Sequence, residues 1–208
     1  STEYLPWIQF YRQGTSLEAF ELDRRYVADR ALGSLEISQD LRRRVRRWRE
    51  GLEEGSTDEI KELFYRVAGR VTSPDANEFG QDVAHTFAEK DGSPHMLLHA
   101  VYELAGIDSE VYLVKSEYQH PDSFPIREFA KYRNPVLRVQ TPDGGAVWLN
   151  PAHPDAMYNT VNLSWIGQPA VCVTCEERVE KTLPEKGLRN PARAGAIGTS
   201  SSRRSASR

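Results

Sequence analysis

An α+β fold, helices first and an antiparallel sheet after them, is what this chain predicts, and three observations predict it. Residues 16–71 hold three amphipathic helical patterns in succession. Between Ser93 and Gly106 runs a pattern apolar around most of its circumference, which marks a buried central helix. Beyond it come short β-branched runs separated by turn residues, with no internal repeat and no alternating βαβ order.

The first helix is expected over Ser16–Arg30, with Leu17, Phe20, Tyr26 and Val27 set among charges. The second runs from about Ser38 to Leu52, with Leu41, Val45, Trp48 and Leu52 on one face. The third opens at Ser56-Thr-Asp-Glu59, a capping-box pattern, and aligns Ile60, Leu63, Phe64, Val67 and Val71. Residues 73–92 read as irregular, with a short helix allowed over Asp82–Glu89. In the central helix Ser93 suits the N-cap, Pro94 the first turn and Gly106 the left-handed position past the end.

Strands are expected at Glu110–Lys115, Pro135–Gln140, Ala146–Leu149 and Gln168–Val173, the middle two joined as a hairpin by Thr141-Pro-Asp-Gly-Gly145. Cys172 and Cys175, the only cysteines, fall in the last of these runs. Positions three apart on a strand point to opposite faces, so they read as two unconnected structural thiols.

At 208 residues and 39% hydrophobic composition the chain fits one ordinary domain plus a tail. The domain is expected over 1–186, helical to about 107 and β-rich from 108. Residues 187–208 hold five arginines and no acid, so the net charge of −3 becomes −8 for the body. That Ser/Arg-rich tail has too little apolar surface to order itself. No run approaches the roughly 20 apolar residues of a membrane span, and residues 1–30 lack the apolar centre of a signal peptide.

From Tyr4-Leu-Pro-Trp7 to about Val173 the sequence resembles the bacterial branch of the transglutaminase-like superfamily. The resemblance is carried most firmly by Gly92-Ser-Pro-His-Met-Leu-Leu-His99 running on to Ala105-Gly-Ile107, then Glu110–Lys115, Tyr132-Arg-Asn-Pro-Val-Leu-Arg-Val139 and Ala146-Val-Trp-Leu-Asn-Pro151. It implies a papain/transglutaminase-like core, with the central helix packed on the sheet. In that branch the helix opens with Gly-Asp-Cys, the next strand carries Asn-His and the following one ends Trp-Leu-Asp-Pro. Such chemistry needs a thiolate at a helix N-terminus, an imidazole beside it and a carboxylate to orient and stabilise that imidazole.

Every one of those groups is replaced. The cysteine position falls on Asp91 or Pro94, beside Ser93, the histidine on Asn134 or Pro135, and the carboxylate on Asn150. The resemblance therefore implies a non-catalytic binding or scaffolding module of a larger bacterial protein, without cofactor. Its remnant cleft is expected to be lined by Asp91, Ser93, His95, His99, Asn134, Trp148 and Asn150, with the Tyr118–Lys131 loop as a cover. A protein or peptide partner, or neighbouring domains of the same chain, would occupy it, and the branch's habits suggest a periplasmic or otherwise extracytoplasmic setting.

Three rivals stand beside this reading. Ser93 could serve a hydrolase with His95, His120 or His153, although no Gly-x-Ser-x-Gly elbow is present. His95 and His99, four apart, could share a metal, but zinc wants three or four ligands. Arg42, Arg43, Arg44, Arg46, Arg47 and Arg49 could meet nucleic acid, but acids follow closely, no aromatics are interleaved and the body is acidic. No nucleic acid partner is expected.

Overall fold

The computed structural model describes residues 16–74, 79–115, 129–153, 155–177 and 179–184. The Tyr4–Trp7 segment, His120, most of the Tyr118–Lys131 loop and the basic tail lie outside the described residues.

Helix α1 (Ser16–Gly33) buries Phe20, Ala28 and Ala31. Of the four apolar residues that the sequence sets among charges, Phe20 is buried, Val27 is partly so, and Leu17 and Tyr26 are exposed. The buried stripe follows Phe20, Arg24, Ala28 and Ala31 at helical spacing, which turns Leu17 and Tyr26 outward. Phe20 meets Phe129 and Tyr132 edge-on, at centroid distances of 5.5 and 5.6 Å.

Helix α2 (Gln39–Arg49) starts where the Ser38 hydroxyl accepts the Leu41 N–H, and it buries Leu41 and Val45. Helix α3 (Thr57–Val67) starts at Ser56, whose hydroxyl accepts the Glu59 N–H at 3.1 Å. The return bond of the capping box is shifted: Glu59 accepts the Gly55 N–H at 2.7 Å instead of that of Ser56. Its other oxygen takes the Arg49 guanidinium at 2.5 Å, so a buried carboxylate ties α2 to α3. Arg49 keeps a quarter of its side chain in water, which limits the cost of losing its partner. Glu59→Gln is expected to lower unfolding free energy by about 1–2 kcal/mol, measured by urea denaturation.

Helix α4 (Val83–Glu89) is capped by Asp82, which accepts the His85 N–H at 2.6 Å. Strands β1 (Ser73–Pro74) and β2 (Asp91–Gly92) pair in parallel on either side of it, a two-residue match too short to read from sequence. Helix α5 (Pro94–Ala105) then begins with the Ser93 hydroxyl accepting the Met96 N–H, and ends at Gly106 with φ +72°. All of α5 except Glu103 and Leu104 is buried. The surface of His95, His99, Tyr102 and Glu103 is therefore mostly interior, and the Tyr102 hydroxyl donates to the Ile60 carbonyl at 2.8 Å.

The main sheet contains β3 (Ser109–Lys115), β4 (Tyr132–Gln140), β5 (Ala146–Leu149), β6 (Pro169–Cys172) and β7 (Glu180–Thr182). Its order is β5-β4-β3-β6-β7, with every pairing antiparallel. The architecture is thus α+β, as the sequence predicts. Alternation sends Val111, Leu113, Leu137, Val139, Leu149 and Val171 into the same core as α5. Tyr112, Val114, Val136, Trp148 and Cys172 point to the other face, where Val161 and Leu183 cover them. Helices α2, α3 and α4 pack on α5 from its remaining sides.

Three sequence expectations need correction. Pro135 is the fourth residue of β4, not the first of a strand; it is tolerated because β5 stops at the Leu149–Leu137 pair and leaves that stretch as an edge. The sheet does not end near Val173, since the mostly polar Glu180–Thr182 adds an edge strand beside β6. The cysteines are joined in a disulfide. Strand β6 ends at Cys172 and the chain bends at once, so Cys175 folds back to a Cα separation of 5.7 Å and strand parity no longer applies.

Candidate functional site

The N-terminus of α5 and the end of β5 meet at one place. Gly92, with φ +129°, delivers the chain from β2 to the Ser93 cap, and Pro94 fixes the first helical turn. His95 is thereby fixed in that turn and is buried. From the sheet, Leu149 lies opposite Leu137 on the α5 side, and Asn150 leaves the strand immediately after it.

His95 and Asn150, 55 positions apart, form a hydrogen bond of 3.0 Å between Nε2 and Oδ1. The same Oδ1 accepts the Ala152 N–H at 3.1 Å. An amide oxygen can only accept, so Nε2 carries the hydrogen in this contact. Asn150 thus fixes both the tautomer and the orientation of the imidazole, the positioning half of what a carboxylate does in a triad. The other half, a negative charge facing an imidazolium, is something a neutral amide does not supply.

Asn134 and Trp148 do not converge on that pair. Asn134 lies opposite Val114, whose side chain belongs to the far face, and its amide reaches the Val114 carbonyl at 3.4 Å. Trp148 is also on the far face, edge-on to Tyr112 at 5.2 Å. A cleft lined by both of them together with His95 and Asn150 is therefore corrected, because strand alternation puts the sheet between the two sets. On β4 the residue directed toward α5 is Pro135, opposite Leu113. Asp91 sits in β2, paired with Ser73.

His99 lies one turn beyond His95 and turns to a different partner, the Ser109 hydroxyl at 2.8 Å from Nδ1. Burial pushes its pKa down to about 4, so it is neutral near pH 7. Among the described residues no three His, Cys, Asp or Glu side chains gather as a metal would require. Both sulfurs are bonded to each other at the end of β6, with Cys172 on the far face, so neither is a thiol at the start of α5. Sequence reasoning singled out His95 and Asn150 separately but missed their bond, for which the sequence holds no signal other than the hairpin register that carries Asn150 toward α5.

Comparison with known proteins gives a fold and little more. No protein-family profile matches the chain, and no curated protein matches it. A crystal structure of a "putative protease" from Parabacteroides distasonis superposes with a TM-score of 0.55 at 13% identity, over 77% of this chain. The chain spans 31% of that protein's length. The shared property is the α+β architecture, helices on an antiparallel sheet. No helix among the described residues is long and apolar enough to cross a membrane.

Proposed function

We propose that the chain is a degenerate transglutaminase-like domain that binds a protein or peptide segment at the junction of α5 and β5, as a non-catalytic module of a larger bacterial protein. The observation carrying this reading is the His95–Asn150 bond, an imidazole oriented by a neutral amide where acyl-transfer chemistry needs a carboxylate. The oxidised state of both cysteines supports it, since the thiolate such chemistry needs is absent among the described residues. The disulfide also favours an extracytoplasmic setting, since bonds of this kind persist in oxidising surroundings such as the periplasm.

One observation favours a second reading. Ser93 stands at a helix N-terminus two positions before a histidine held in a fixed tautomer, a partial likeness to a serine hydrolase. Against it, the Ser93 hydroxyl already accepts the Met96 N–H as a cap.

Both readings meet in one experiment. The purified chain is treated with a fluorophosphonate probe and assayed on fluorogenic esters and peptides, while a displayed random-peptide library is selected on wild type and counter-screened on Asn150→Ala. The expected result is no labelling, no turnover, and peptides whose capture depends on Asn150. Labelling at Ser93, or turnover abolished by Ser93→Ala and His95→Ala, would replace the binding reading with the hydrolase.

A further inference from the structure

We propose that a second site, remote in composition from the His95–Asn150 pair, binds a small phosphate-bearing ligand. It is a cavity of about 460 Å³ between α2, the turn after α3 and the end of α4, lined by Asp40, Arg43, Arg44, Arg47, Arg70 and Phe87. Residues 40, 43, 44 and 47 share one stripe of α2 because they stand i, i+3, i+4 and i+7 apart. Leu41 and Val45 occupy the adjoining buried face, and Arg42 and Arg46 project to solvent on the other side of it. The arginine run is therefore divided by helical geometry, with part of it directed at this cavity.

Charge there is unbalanced. Asp40 pairs with Arg43, and among the described residues no carboxylate pairs with Arg44, Arg47 or Arg70. Arg70 is the built element. Its guanidinium carbon lies 4.4 Å from the Phe87 ring centroid and 5.9 Å from that of Trp48, so two aromatic groups fix it. Its Nε is buried without a hydrogen-bond partner among the described residues. Burial and the neighbouring Arg44 charge both lower the Arg70 pKa, as expected where cations face one another without an anion.

A planar fork of donors with further guanidinium groups beside it matches tetrahedral phosphate oxygens better than a single carboxylate. A nucleic-acid strand fits less well: the two aromatic rings lie against Arg70 instead of being presented for base stacking.

Inorganic pyrophosphate, titrated calorimetrically into the full chain, tests the site. Saturable binding is expected, weakened at least about tenfold by Arg44→Gln/Arg47→Gln and unchanged by Arg42→Gln/Arg46→Gln. Arg70→Met should abolish it, and the exposed α2 pairs keep the test decisive if that variant misfolds. No heat at millimolar pyrophosphate overturns the proposal. So does equal weakening by both α2 pairs, which would mean diffuse charge, or tighter binding of a single-stranded oligonucleotide that depends on both.

Discussion

Gly92→Ala is expected to cost about 2–6 kcal/mol of unfolding free energy, from two independent terms. The backbone at Gly92 has φ +129°, a conformation a side chain strains to adopt, at about 1–3 kcal/mol. An added Cβ would also lie 2.3 Å from the Thr86 Oγ1 and 3.2 Å from the Gln81 Cβ. Thr86 is buried and its hydroxyl donates to the Asp82 carbonyl at 2.9 Å, so it cannot swing aside without breaking a bond at the start of α4. Forcing the contact adds about 1–3 kcal/mol. Gly106 is the contrast: its φ is also positive, but a Cβ there meets nothing within 4 Å, and Gly106→Ala should cost only about 1–2 kcal/mol. Urea denaturation of both variants and of Gly92→Ala/Thr86→Ala checks the account. The double variant should recover part of the loss, and a neutral Gly92→Ala would refute the close approach.

The caps at Ser56 and Ser93, and the helix starts near Ser38 and Asp82, were legible because they are local. Ser38, Ser56, Asp82 and Ser93 each accept a backbone N–H three residues on, a relation contained in four consecutive positions. The hairpin at Thr141–Gly145 was readable for the same reason: the Thr141 N–H bonds the Gly145 carbonyl and Gly144 takes φ +80°. Helix α5 was recognisable from its near-continuous apolar surface.

What escaped depends on parity and distance. Asn134 and Pro135 are neighbours on opposite faces of β4, so an alignment ambiguity of one residue decides which lies toward α5. The disulfide escaped because a β-branched run around Cys172 reads as a longer strand than the one that forms, and only the bend after Cys172 brings Cys175 back. The inward face of α1 was not legible because its buried stripe includes an arginine, Arg24, bound to Glu21 at 2.6 Å. A hydrophobicity pattern scores that position as solvent-facing.

Acid is expected to destabilise the fold through His99. Its folded-state pKa is lowered from the ordinary 6.5 to about 4 because the ring is buried, with Ser109 as its polar neighbour. Between those two values the unfolded chain binds a proton that the folded chain refuses. Stability is therefore whole above about pH 6.5 and declines as pH falls toward 4, where the folded state begins to protonate as well. A displacement of this size corresponds to about 3 kcal/mol in total, most of it lost by about pH 4.5. His99→Gln removes the titrating group, and although it lowers stability at pH 7, it should flatten the pH dependence over this interval. Urea unfolding at pH 7 and pH 4.5, with the His99 ring followed by NMR, separates this contribution from that of the carboxylates, which both proteins share. The gap between wild type and variant should narrow by about 2–3 kcal/mol on acidification; a gap that stays constant would mean that His99 protonates as readily in the folded chain as in the unfolded one.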